Sequence, residues 1–252
     1  MTKTVKDSRL PGMEILQAKK AQVGVLVFPG TNCDQETHHV FENLMGLKTK
    51  YHWHDESLAA DDYNLLVLPG GFSYGDYLRS GAMAKFSPAL ENIKDFIAAG
   101  GHVLGICNGF QILLELGLLP GALTRNKEAK FISDKVYLKV EHNDNPFLNQ
   151  YQQEQVVQLP IAHADGRYYA DEETLKILED KGQVVLRYCD QDGQLNEASN
   201  VNGSKHAIAG LISENKQVMG LMPHPERCCE AVLGCDQGKA FFDSIHSLWN
   251  NS

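Results

Sequence analysis

Residues 101–111 read GHVLGICNGFQ, and the fold turns on how that stretch is built. His102 to Ile106 is a short apolar run of the kind a fully buried strand requires. Phe110 to Leu116 then resumes apolar residues at helical spacing, with Gly117 as the stop. Cys107 falls on the turn between the two, and Gly105 and Gly109 flank it two residues away on either side. A side chain held at a sharp strand-to-helix bend needs small neighbours, because the backbone there takes unusual angles or approaches other elements closely. A thiol at such a bend lies at a helix N-terminus, where unpaired N–H groups and the positive dipole end favour thiolate over thiol. A buried structural cysteine is the competing reading, and a partner base decides between them.

Working outward, Val23 to Phe28 has the same buried-strand pattern, closed by Pro29-Gly30-Thr31-Asn32 and followed by helical spacing from Asp34 to Met45. Lys48 to Trp53 alternates like a half-buried strand, and Leu65 to Leu68 is another apolar run, closed by Pro69-Gly70-Gly71. Beyond the loop FSYGDYLRSG a helix is expected from Pro88 to Ala99. Strands alternating with helices imply an α/β fold with a mostly parallel sheet and helices on both faces. From Lys135 to Leu159 the pattern becomes strand-like around an Asp144-Asn145-Pro146 turn, which predicts an antiparallel extension. Val184 to Cys189, Ala207 to Ile212 and Val218 to Met222 read as further strands, and Gly234 to Trp249 as a closing helix. Sites in such sheets form at the carboxyl ends of strands, so Pro69-Gly70-Gly71 and Cys107 can face one cleft.

The chain of 252 residues is long enough for one sizeable core, and residues 21–252 read as a single domain preceded by a polar arm, residues 1–20. A net charge of -9 with no Lys/Arg cluster argues against a nucleic-acid partner. The six cysteines do not read as a disulfide framework, and no C-x-x-C pair suggests zinc, so no metal is expected and the compartment is read as cytoplasmic. Nowhere do apolar residues run long enough for a membrane span.

A partner base for Cys107 is available in Met222-Pro223-His224-Pro225-Glu226-Arg227, which follows a strand. The two prolines force an extended backbone, in which alternate residues share a face, so Glu226 can hold one imidazole nitrogen of His224 and leave the other for a thiol. Nucleophile, base and orienting group form the recipe for covalent acyl transfer. The oxyanion that such chemistry creates needs N–H donors, and those of Asn108, next after Cys107, and Gly71, in the Pro-Gly-Gly turn, are the candidates. An ordinary βα turn explains Gly70-Gly71 equally well.

With these residues in place, FPGTNCD at 28–34, GGFSYGDYLRSGAMA at 70–84, LGICNGFQILLELGLLPGAL at 104–123 and GLMPHPER at 220–227 resemble the class I (triad) glutamine amidotransferases, in particular the glutaminase subunits of phosphoribosylformylglycinamidine synthases. The resemblance runs from Val23 to the C-terminus. It implies Cys107 as nucleophile, His224 as base, Glu226 as its orienter, and Gln111 and His163 as substrate-binding residues beside a glutamine. It also implies a partner synthetase that carries ATP and magnesium, and a small accessory subunit. A peptidase-like or stress-protein hydrolase of the same architecture would need no FSYGDYLRSG loop. The family pattern leads one to expect Gly-Glu where this chain has Ala164-Asp165. The Gly70 to Gly81 loop, with glycines at 71, 75 and 81 and exposed-looking Tyr77 and Arg79, is expected to be mobile and to set the Gly71 amide on partner docking.

Overall fold

The structure, a computed structural model, describes residues 22–250; the expected arm of residues 1–20 lies outside them. Strand β1 (Gln22–Val27) leads into α1 (Asp34–His39), and β2 (Lys48–Trp53) and β3 (Leu65–Leu68) follow. Two short helices, α2 (Pro88–Glu91) and α3 (Ile93–Ala98), precede β4 (His102–Ile106), which runs into α4 (Asn108–Glu115). The second half comprises β5 (Ala122–Thr124), β6 (Ile132–Val140), β7 (Val156–His163), β8 (Arg167–Tyr169), α5 (Glu172–Asp180), β9 (Val184–Cys189), β10 (Ile208–Ile212), β11 (Val218–Leu221) and α6 (Lys239–Asn250).

Nine strands form one sheet in the order β2-β1-β3-β4-β11-β10-β9-β6-β7. The half from β2 to β11 is parallel throughout, whereas β11-β10-β9-β6-β7 is the antiparallel extension. The order reverses between β1 and β3: β1 steps outward to β2, while β3 steps inward to β4. Right-handed crossovers therefore put α1 on one face and α2–α3 on the other, and a crevice opens at the carboxyl ends beside the reversal. Phe41, in the π turn that extends α1, packs edge-on against Phe242 of α6, so the closing helix covers the α1 face. Strands β3, β10 and β11 are buried along their whole length, and β4 from Val103 onward, as a central position with both faces covered demands.

Several boundaries differ from the sequence reading for local reasons. The helix expected over Asp34 to Met45 is α-helical only to His39 and closes in a π turn at Leu44. The Pro88 to Ala99 helix breaks at Asn92, and the last helix starts only at Lys239, because Gly238 is pressed against the Pro225 and Cys228 carbonyls. Helix α5 went unread; its signal was Asp171, whose side chain accepts the Thr174 N–H as an N-cap at 2.7 Å. The two-stranded β5–β8 ribbon was also unread, since three-residue strands carry no period. Cys228 and Cys235, seven residues apart, are brought together across the loop before α6, with Cα atoms 4.8 Å apart. No helix among the described residues is long and apolar enough to cross a membrane.

Candidate active site

Cys107 occupies the bend between β4 and α4 with φ 51° and ψ -104°, a conformation that costs a non-glycine residue on the order of 1–3 kcal/mol. The strain is held from both ends. The Cys107 N–H donates to Leu221 O at 2.8 Å, tying the bend to β11, and its carbonyl accepts from Gln111 N at 3.1 Å as the first helical bond. The flanking glycines are needed for room rather than for positive φ. A Cβ on Gly109 would sit 1.9 Å from Leu68 O, and one on Gly105 would sit 2.7 Å from the Gly109 carbonyl carbon.

His224 and Glu226 arrive from the end of β11. The His224 N–H donates to Pro160 O at 2.8 Å, which pins the segment to β7. Pro225–Arg227 then form a 3-10 turn rather than the extended backbone expected from the two prolines, and the turn still brings Glu226 to the ring. Nδ1 and Glu226 Oε1 share a hydrogen bond of 2.5 Å in a fully buried setting. Nε2 is buried with no partner among the described residues, and the ring faces the nucleophile across Gly70: a Cβ there would lie 2.7 Å from His224 Cε1 and 3.5 Å from Cys107 Cβ. Burial works against a charged ring, but the Glu226 carboxylate and the Cys107 sulfur outweigh it and hold the His224 pKa well above its usual value.

Gly71, at φ +152°, would drive a Cβ to within 2.7 Å of Thr31 Cα. The Asn32 and Cys33 N–H groups both donate to Gly70 O, at 3.2 and 3.1 Å. A trans peptide sets its N–H opposite its carbonyl, so the Gly71 N–H is turned from the β1 side toward the β4 side, where Cys107 stands. Asn108 begins α4, and the first N–H groups of a helix have no acceptor within it. In front of the thiol lies a cavity of ≈ 130 Å³ whose wall includes Cys107, His224, Gly71, Cys33, Ala162 and Arg227; Asn108 is not in that wall.

Gln111 lies one helical turn beyond Cys107. Its Oε1 accepts from Asn108 Nδ2 at 2.8 Å and its Nε2 donates to Asp165 O at 2.7 Å. Asn108 also accepts the Ser73 N–H at 3.0 Å and donates to Asp76 at 3.2 Å, while Ser80 Oγ bridges Asp76 and Asp165 at 3.3 and 2.9 Å. Burial, opposed by the bonds from Ser80 and Asn108, raises the Asp76 pKa. The Gly70 to Gly81 loop is thus tied by hydrogen bonds to Asn108 and Asp165 in this structure. Arg79 is not free either: its guanidinium forms a two-pronged pair with Glu115 at 2.5 and 2.6 Å.

The His163 side chain does not line the Cys107 cavity. Neighbours on a strand point to opposite faces, and Ala162 takes the cavity side, its carbonyl 3.7 Å from Cys107 Sγ. The His163 ring is instead held by Asn126 Oδ1 at 3.0 Å, and burial, with the charge of His224 adding, pushes its pKa down to about 4. Cys33 and Arg227 are the residues that sequence reasoning missed. Arg227 Nη2 donates to Cys33 Sγ at 2.9 Å, and that sulfur lies 3.9 Å from His224 Nδ1. The signal for Cys33 was its place just after the Pro-Gly turn that ends a parallel strand.

Residues 20–239 match the model of the CobB/CobQ-like glutamine amidotransferase domain, and the chain belongs to that class. Within it the chain belongs to the phosphoribosylformylglycinamidine synthase subunit PurQ family. It is 50% identical over 226 residues to the Moorella thermoacetica subunit, covering 90% of this chain and 95% of that one. The Alkaliphilus metalliredigens subunit is 52% identical over 222 residues, covering 88% of this chain and 94% of that one. Among solved structures, PurLQS from Thermotoga maritima superposes with a TM-score of 0.79 at 43% identity, covering 91% of this chain and 99% of that one.

Proposed function

We propose that the chain hydrolyses glutamine to glutamate and ammonia, and that the ammonia serves a partner synthetase converting formylglycinamide ribonucleotide to formylglycinamidine ribonucleotide. The observation that carries this reading is the strained Cys107 facing a buried His224–Glu226 pair across Gly70. Cys107 Sγ, as thiolate, attacks the side-chain carboxamide carbon. The oxyanion forms against the Gly71 and Asn108 N–H groups, each worth on the order of 10²–10³ in rate. The C–N bond breaks as His224 Nε2–H protonates the leaving nitrogen, giving ammonia and a glutamyl thioester. Neutral His224 then takes a proton from water as the water oxygen attacks, the C–S bond breaks, and glutamate leaves. Glu226 keeps the ring oriented and balances its charge.

ATP and magnesium belong, in this reading, to the synthetase, with a small accessory subunit completing the assembly. The surface beside the site suits a protein partner: Tyr77, Leu78 and Phe86 are 76%, 83% and 68% exposed around the Gly70 to Gly81 loop. The test is glutamate release by the full chain, alone and with the synthetase, its nucleotide and its ribonucleotide substrate. Stimulation that Tyr77→Ala with Leu78→Ala removes is expected. A folded chain that releases no glutamate in either state would overturn the reading.

A further inference from the structure

Cys33 is a buried thiol that the acyl-transfer chemistry leaves unused, yet it shares the cavity wall with Cys107 and His224 and sits against the catalytic pair. Its sulfur, one His224 ring nitrogen and a Glu226 carboxylate oxygen all lie within 4.8 Å of one another, and all three residues are buried. Glu226 Oε2 has no hydrogen-bond partner among the described residues, so one lone-pair set of a buried carboxylate is unspent. On the other side of this group lies a cleft of ≈ 840 Å³, lined by Asp34, Glu36, His39, Glu226, Arg227 and Glu230. The carboxylates of Asp34, Glu36 and Glu230 in its wall draw cations toward the segment that carries Glu226.

We infer that Cys33, His224 and Glu226 form a regulatory site for a thiophilic divalent cation of the Zn²⁺ type, whose occupancy switches the glutaminase off. Cys, His and carboxylate are the donor set such ions select over Mg²⁺ or Ca²⁺, and three protein ligands with a fourth open position is a familiar zinc arrangement. Thiolate and carboxylate together cancel the charge of the ion. The Arg227 N–H, 2.9 Å from Cys33 Sγ, supplies the outer hydrogen bond that ligating sulfurs receive. The metal takes the place of the proton that His224 Nδ1 and Glu226 Oε1 share; with metal–N and metal–O bonds of about 2.0–2.1 Å, the carboxylate has to move by less than about 1 Å. Catalysis then stops, because Nδ1 carries a metal where the mechanism needs a hydrogen bond to Glu226. The three ligands come from segments 191 residues apart, which is why no local spacing announced them.

Only the inhibition arm rests on the glutaminase reading; the binding arm is independent of turnover. The full chain, kept reduced, is titrated with Co²⁺ and its absorption followed, then challenged with Zn²⁺. Wild type and Cys107→Ser are expected to show the thiolate-to-cobalt charge-transfer band, displaced by one equivalent of Zn²⁺, and Cys33→Ser to lack it. X-ray absorption of the wild-type zinc form should report one sulfur with nitrogen and oxygen neighbours, and this needs no variant to fold. Arg227→Gln is expected to bind about 10–100-fold more weakly. In the activity arm, Zn²⁺ should silence wild-type turnover reversibly on chelation and leave the turnover of Cys33→Ser unchanged. A wild-type chain with no thiolate–cobalt band, or a band that persists in Cys33→Ser and vanishes in Cys107→Ser, would overturn the inference.

Discussion

Replacing Gly70 by alanine tests the geometry of the site with a single methyl group. The added Cβ would lie 2.7 Å from His224 Cε1, 2.9 Å from Cys33 Sγ and 3.5 Å from Cys107 Cβ. Non-bonded carbons settle at about 3.5–4.0 Å, so the imidazole has to retreat by roughly 1 Å. The backbone of His224 is pinned by Pro160 O and its ring by Glu226, so the ring cannot do so without leaving its line to Cys107. A misplacement of about 1 Å costs on the order of 10²-fold in rate, or roughly 2.7 kcal/mol in the barrier. Overpacking of this kind lowers stability by about 1–3 kcal/mol. Steady-state glutamate release, paired with urea unfolding, separates the two effects: kcat should fall about 10²-fold in a chain that still unfolds cooperatively. Gly46→Ala is the control, since a Cβ there meets nothing within 4 Å; despite its φ of +67° it should change stability only. Turnover in Gly70→Ala within about threefold of wild type would refute the claim that His224 and Cys107 work across this residue.

Cys107→Ser should abolish turnover while Cys189→Ser, a buried cysteine away from the cavity, leaves it intact, checked by glutamate release. Glu226→Gln removes the carboxylate that holds the His224 pKa up, so the alkaline limb of the kcat/KM profile should move to lower pH, with a rate loss of about 10²–10⁴-fold. His163, with a folded pKa of about 4 against an ordinary 6.5, stays neutral where the unfolded chain binds a proton, so stability should fall as pH drops from 6.5 toward 4. At ~1.4 kcal/mol per pH unit the contribution is roughly 3 kcal/mol, and urea unfolding of His163→Gln at pH 7 and 4.5 should show that slope reduced. Gly109→Ala, with its Cβ 1.9 Å from Leu68 O, should fail to fold or lose more than about 3 kcal/mol, read from its thermal melt.

What could be read beforehand was whatever the chain states locally. The GICNG bend and the Pro-Gly turns that end buried strands follow from backbone constraints on a few adjacent residues. His224 and Glu226 do pair, but through a 3-10 turn at Pro225–Arg227 and not through the extended backbone expected there. The antiparallel half was legible as a change of period near Lys135, although its order in the sheet was not. Relations between distant segments left no local mark. Cys33 meets His224 only because β1 and β11 flank the same crevice, with β3 and β4 between them. Cys228 and Cys235 meet because a loop doubles back. The side-chain direction of His163 was not legible either: on a strand adjacent residues face opposite ways, and Ala162 rather than His163 lines the cavity. The hydrogen bonds that tie the Gly70 to Gly81 loop to Asn108 and Asp165 were equally invisible, since glycine content says nothing of side-chain partners from other segments.

The central claim is that Cys107, and not its neighbour Cys33, attacks glutamine. Incubating the full chain with a glutamine analogue that carries a diazoketone in place of the carboxamide, and mapping the adduct by peptide mass spectrometry, addresses that directly. The account predicts one equivalent of label on the peptide containing Cys107, blocked by excess glutamine and absent in His224→Ala at matched times. Label on Cys33, or label on Cys107 that glutamine does not protect, would contradict it.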